Sequence, residues 1–188
     1  MAMSSAEPAV DSLINTDDGL KYWEGVDADI NGMLGGIPSI GRIDLQGSTA
    51  FLAQLGIGVK NGRQKIHAAL DGGAGIGRVT EGLLSNVAEH VDAIEPIEKF
   101  CDVLKSKKGV ARNVFNVGLE HWQPTADLTY GLIWVQWCAG HLTDAQLVEF
   151  LQRCKRALVP ETGLIVIKEN NSSTSEDIFD PVDSSVTR

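Results

Sequence analysis

The chain has few cysteines: only Cys101, Cys138 and Cys154 among 188 residues, with no CxxC pair between them. That spacing excludes a zinc ribbon, and an odd count of three does not make a disulfide framework, so a reducing compartment, cytoplasmic and nuclear, is expected. Positive charge is also scarce. Lys and Arg number 16 against 25 Asp and Glu, for a net charge of -9. A surface of that sign repels polyanions, so no nucleic-acid partner is expected and a cationic partner suits it better. Long apolar runs are absent: the longest stretch, around Leu132 to Ala139, is far below the ~18 residues that a membrane span requires. The beginning, MAMSSAEPAV, has neither the basic nor the apolar region of a secretory signal, so no membrane partner is expected. None of the 4 histidines stands at ligand spacing along the chain with another His, Cys or acid pair, so no metal site is expected.

What is present is an ordinary globular composition, 43% hydrophobic and 22% charged, enough for one core with an added arm. Residues 1–16 are small and polar without period, and read as a disordered tail. Residues 17–60 read as a helical arm. There Leu20, Trp23, Val26, Ile30 and Met33 recur at helical steps, implying one helix that the GlyGly pair at 35 and 36 ends. A second, shorter helix is expected over Ser48 to Leu55, burying Phe51, Leu52 and Leu55 and stopping at Gly56. From residue 61 to 188 strands and helices alternate, the signature of an α/β, doubly wound, mostly parallel sheet. Strands are placed at Ile66 to Leu70, Val91 to Ile94, Asn113 to Val117, Leu132 to Gln136 and Leu164 to Lys168. The helix after Thr143 is the best marked, because Thr143 and Gln146 have capping-box spacing and Pro160 follows its end.

After the first strand comes DGGAGIGR at 71–78, opening a helix, so backbone amides converge on a loop that side chains do not block. The glycines Gly73, Gly75 and Gly77 are spaced GxGxG, not the GxGxxG of dinucleotide sites, and Asp71 stands where it would repel a pyrophosphate but receive an ammonium group. Glu95 closes the second strand 18 residues beyond Gly77, where an acid holds ribose hydroxyls in doubly wound nucleotide folds. An acid for an amino-acid end and an acid for a ribose describe S-adenosyl-L-methionine. A nicotinamide-dependent oxidoreductase is the weaker alternative.

The chain resembles the α-N-terminal protein methyltransferases over residues 22–188. The motifs that carry this are YW at 22–23, MLGG at 33–36, LDGGAGIGR at 70–78, WVQW at 134–137, GHLTD at 140–144, IKEN at 167–170 and VDSSV at 182–186. The resemblance implies the class I S-adenosylmethionine-dependent fold and methylation of the free α-amino group of proteins that begin with a residue followed by Pro and Lys. It implies cofactor contacts from Gly73, Arg78, Glu95, Leu119, Glu120 and Gln136, with Trp23 and Met33 closing over them. The family carries Asp and Gln at the positions of Glu95 and Glu120. The first difference keeps the charge and the second exchanges an amide for a carboxylate.

An α-amino group with a pKa of about 7.7–8.0 is mostly protonated at neutral pH, so a base near the nitrogen raises its reactive fraction. By the same resemblance Asp183 and His141 act on the amine, and Asn170 accepts a hydrogen bond from it. Trp137 offers a wall to the second-position Pro, Asp180 pairs with the third-position Lys, carbonyls near Leu34 and Gly35 meet the peptide, and Ser185 completes the substrate set. Relative to that fold, the last helix and strand hairpin are expected to be missing, because only 20 residues follow Lys168. A cofactor-binding but catalytically impaired short form is therefore a third reading.

Overall fold

The structure is a computed structural model that describes residues 9–59 and 63–188. Residues 1–8 of the expected tail lie outside the described residues, as do 60–62 of the polar connection after the arm. Five strands form one parallel sheet: β1 (Ile66–Gly72), β2 (Ala88–Ile94), β3 (Asn113–Phe115), β4 (Leu132–Gln136) and β5 (Leu164–Lys168), in the order β3-β2-β1-β4-β5. The chain reverses direction across the sheet between β1 and β4. At such a switch point the loops leaving the two strands part and open a crevice at their carboxyl ends.

The central strands are buried on both faces, and β1 and β4 bury the mostly apolar runs AALDG and LIWVQ without interruption. One core gathers Leu70, Ile94, Ile133 and Val135 against Phe150 and Cys154 of α6 (Asp144–Ala157). The opposite core sets Ala69, Leu132 and Trp134 against Leu83, Leu84 and the arm's Leu52. Helix α6 carries the expected capping box, with Thr143 and Gln146 each bonding the other's backbone. The helix after the glycine loop runs as a π-turn over Thr80–Leu84 and finishes as α4 (Ser85–Val87), and α5 (Glu98–Ser106) follows β2.

Three expectations need correction. Residues 9–16 are not a loose tail: Val10–Leu13 forms a 3-10 turn whose Asp11 accepts the Asp144 amide at 2.8 Å, and Asn15 donates its amide to Ser184 Oγ at 2.8 Å. The single arm helix is two, α1 (Thr16–Gly25) and α2 (Ile30–Met33). The break follows from Asp29, whose side chain caps α2 through the Gly32 amide, and from Gly32, where any Cβ would stand 2.2 Å from the Asp27 carbonyl oxygen. The next helix, α3, starts eight residues early and spans Ile40–Gln54. Its buried stripe is Gly41, Ser48 and Leu52, largely polar or small, whereas Phe51 and Leu55 are exposed. A hydrophobic-period search does not register a face of that kind.

Strand β5 pairs with β4 alone and forms a sheet edge. Beyond it, β6 (Ile178–Asp180) and β7 (Ser185–Thr187) make an antiparallel pair separate from the sheet, and among the described residues no helix follows β5.

Candidate active site

A cavity opens over the carboxyl ends of β1, β2 and β4, roofed by α1 and α2. Its floor is the glycine loop. Gly73 and Gly75 hold φ of +70° and +56°, and a Cβ at either would stand 2.5 Å from Cys138 Sγ or 2.7 Å from Met33 Sδ. The loop is therefore closed to side chains by both backbone conformation and space. Glu95 is buried beside it, with Oε2 accepting the Gly75 amide at 2.7 Å and Oε1 the Ile97 amide at 2.8 Å. Burial pushes its carboxyl up to about 7, against those two bonds. Leu119 and Glu120 line the same side, their carbonyls fastened by the buried Arg153 of α6 at 3.0 and 2.9 Å.

The arm reaches over this floor. Trp23 and Met33 line the cavity and pack with Leu20 and Val26 on Ile76, Ile97 and Phe100. Lys99 Nζ donates to the Glu24 carbonyl at 2.6 Å and also to the Val26 carbonyl, fixing the end of α1.

On the other side the site is built from side chains, and behind the lining residues Arg78 and Gln136 stands Asp44 of α3. Asp44 Oδ2 accepts a hydrogen bond from Arg78 Nη1 at 2.6 Å, both oxygens accept from Gln136 Nε2 at 2.9 and 3.0 Å, and Lys168 Nζ pairs with it while donating to Ser48 Oγ at 2.9 Å. Burial alone raises the Asp44 pKa, but the bonds from Lys168, Arg78 and Gln136 outweigh it and hold the carboxyl below its ordinary range. Neither Asp44 nor Lys168 was expected here. The signal available was an Asp four residues before Ser48 on one helical face.

Beyond Gln136 the backbone turns sharply: Trp137 sits at φ +56°, with Arg78 Cζ 5.1 Å from the centre of its ring. Left-handed backbone at a bulky residue is strained and persists only where surrounding structure holds it. The Trp137 amide bonds Lys168 O at 3.0 Å, and the next two amides, Cys138 and Ala139, both bond Glu169 Oε1 at 2.8 Å. Glu169 is a further residue that the sequence reading missed. The Cys138 thiol lines the cavity, but burial pushes its pKa well up, so it stays neutral.

His141 follows on a 3-10 turn and lines the cavity. Its Nε2 accepts the Trp23 indole N–H at 3.0 Å. An indole only donates, so Nε2 is unprotonated and the neutral ring carries its hydrogen on Nδ1, which is buried without a partner. Burial lowers the His141 pKa, and the negative charge of Asp183 opposes that shift. Gly19 of α1 lets these parts meet: a Cβ there would stand 3.5 Å from His141 Nδ1 and 3.2 Å from the Asp183 carbonyl oxygen. The Asp183 carboxylate accepts the Ser185 hydroxyl at 2.6 Å and its amide at 3.1 Å, and the intervening Ser184, at φ +56°, lines the cavity.

Some expected residues stand elsewhere. Asp71 is buried beneath the loop, accepting Thr80 Oγ1 at 2.6 Å, and burial pushes its pKa up to about 7, so it secures the loop to the following helix and does not face an ammonium group. Gly77 serves packing: at φ +83° its Cβ would stand 2.3 Å from Leu104 Cδ1. The Leu34 carbonyl accepts the Ile37 amide at 3.0 Å, and neither Leu34 nor Gly35 lines the cavity. Asn170 and Asp180 are exposed outside the lining, with Asp180 Oδ1 accepting the Val182 amide at 2.8 Å.

These residues fit S-adenosylmethionine. The glycine cradle excludes any Cβ, a buried acid stands 2.7 Å from its amide, and a guanidinium flanks the far end. Comparison with known proteins agrees. The family model described as AdoMet dependent proline di-methyltransferase matches residues 11–188. The chain belongs to this family.

The "Alpha N-terminal protein methyltransferase 1" of Schizosaccharomyces pombe is 48% identical over 175 residues, covering 91% of this chain and 77% of that protein. The "N-terminal Xaa-Pro-Lys N-methyltransferase 1" of Danio rerio is 44% identical over 171 residues, covering 89% and 75%. Among solved structures, a SAM-dependent methyltransferase of Leishmania major superposes with a TM-score of 0.81 at 36% identity, covering 92% of this chain and 67% of that one. Family membership sets the nicotinamide reading aside, and the doubly wound sheet expected from the sequence is present.

Proposed function

We propose that this family member methylates the free α-amino group of proteins or peptides whose first residue is followed by Pro and Lys. The observation that carries the reading is the meeting of His141, Trp23 and the Asp183–Ser185 turn beside the glycine cradle, in a chain whose relatives are named for that substrate. Within this reading Arg78 takes the cofactor's carboxylate, Glu95 its ribose and Glu120 the adenine edge, while Gln136 braces Arg78 through Asp44. Bound there, the cofactor supplies an electrophilic methyl group.

The protein's own residues then have to present a neutral amine. Asp183 is the base in this reading, because Trp23 already occupies His141 Nε2, and its carboxylate, held by Ser185 behind the cavity-lining Ser184, has to turn toward the amine. His141 orients the indole over the cavity and adds a dipole through its Nδ1 hydrogen. Trp137, held by its strained backbone, presents the wall for Pro, and Asp180 outside the cavity receives the Lys. Asn170 accepts from the amine once substrate reaches the end of β5. An acidic protein and a doubly cationic peptide end attract each other. Cytoplasm and nucleus remain the proposed location, and among the described residues no helix is long and apolar enough to cross a membrane.

The test is mass spectrometry of a peptide beginning Ser-Pro-Lys after incubation with the protein and S-adenosylmethionine. Methyl mass on the terminal nitrogen supports the reading. Reaction of an N-acetylated peptide at an internal Lys overturns it, and binding of cofactor without any transfer marks the impaired short form.

A further inference from the structure

At the amino end of the sheet, opposite the cofactor cradle, the second residue of β1 and the second and third of β2 bring His67, Glu89 and His90 together. Their nitrogen and oxygen donor atoms all lie within 4.8 Å of one another. His67 Nδ1 stands 3.1 Å from Glu89 Oε2, and the two imidazole rings meet edge to face with centroids 5.3 Å apart. Successive strand residues ordinarily point to opposite faces. Here Glu89 and His90 both reach the same partner. We propose that His67, Glu89 and His90 form a surface site for a divalent transition metal of the zinc class.

Two imidazoles and one carboxylate are a recognised zinc donor set, with a fourth position left for water. Around a tetrahedral ion with bonds of about 2.0–2.2 Å the donors stand about 3.4 Å apart, so the His67–Glu89 pair is already at ligand spacing and His90 closes in by a rotamer adjustment. All three side chains are exposed, which leaves them free to make that adjustment and gives the ion a direct path from solvent. Calcium and magnesium prefer six or more oxygens and are poorly served by two nitrogens. The site joins β1 to β2 across the sheet, so an ion there ties the two strands together at the end opposite the cofactor cradle. Spacing along the chain hides this set, since parallel pairing joins positions 22 residues apart, as in Ala68↔His90.

Calorimetric titration of the whole protein with zinc chloride should show one saturable site per chain, and a Tm that rises by roughly 5 °C at a hundredfold excess over Kd. His67→Ala and His90→Ala, both exposed, should weaken zinc binding at least tenfold and abolish the Tm rise while leaving the metal-free Tm unchanged. Cobalt(II) should give the d–d absorption of nitrogen and oxygen ligands. Absence of saturable zinc binding, equal binding by the double variant, or a thiolate-to-cobalt charge-transfer band would each overturn the assignment, the last by placing the metal on a cysteine.

Discussion

The two halves of the crevice are made of different materials. Toward β2 the wall is backbone: glycines at positive φ, the Gly75 amide on Glu95 and the Gly73 amide on the Ile94 carbonyl, and no room for a Cβ. Toward β4 and β5 side chains from distant segments line and brace it, with Arg78, Gln136 and Lys168 around the Asp44 carboxylate, and Trp23, His141 and the Asp183 turn beyond them. A backbone cradle is fixed by local sequence and recognises a shape shared by many enzymes of this fold. A side-chain wall depends on tertiary packing, and in the proposed function it is the wall that meets the substrate. The first half should therefore answer to steric change and the second to changes of charge.

The sharpest test of that division is Asp183→Asn. Removing a base from the amine should lower turnover by ~100- to 10,000-fold in the peptide assay, with calorimetric affinity for S-adenosylmethionine near that of the unaltered protein. An equal loss of cofactor affinity would mean that the two halves are one unit and that Asp183 is structural. Asp44→Asn comes next. It leaves Arg78 and Lys168 without their buried counter-ion, so stability should fall by about 3–5 kcal/mol, read as a drop in Tm of roughly 10 °C. Cofactor affinity should weaken with it. A silent Asp44→Asn would show that the side-chain wall does not depend on that carboxylate.

On the backbone side, Gly77→Ala forces a Cβ against Leu104 at φ +83°. Left-handed strain of about 1–2 kcal/mol and overpacking of about 1–3 kcal/mol should appear in denaturant unfolding with no change of net charge. Loss of less than about 0.5 kcal/mol would contradict the crowding.

A last test is pH. Burial raises Asp71 and Glu95 to about 7, and raises Glu169 as well, so the folded state holds these protons more tightly than the unfolded one. Their contribution is complete below about pH 4 and is lost as pH rises through about 7, so Tm should decline between pH 5 and 8. His141 works the other way: its lowered pKa penalises the fold below about pH 6.5. Asp71→Asn should flatten the decline and His141→Asn should steepen its acid end. A Tm that rises across the whole interval would refute the raised carboxyls.

Much of the scaffold was legible because its signals are local. Strands β4 and β5 match their expected limits to the residue, the capping box at Thr143 starts α6 where two side chains and two amides dictate, and GxGxG marks a loop that only glycine can form. The sequence thus determined the parallel sheet, the cradle and the acid that follows it. Asp71 was misplaced because the sequence shows that a carboxylate is present but not that the loop folds over it. The full length of α3 escaped because the face it buries is polar, and that face has a reason only when Arg78, Gln136 and Lys168 arrive from three other elements. His141 stood out from its motif, yet its protonation was decided by an indole 118 positions away. Contacts within a turn or two of backbone are fixed by the residues that make them. Pairings across tens of residues, and the burial that shifts a proton, exist only once the chain has closed on itself, and those the tertiary structure alone decided.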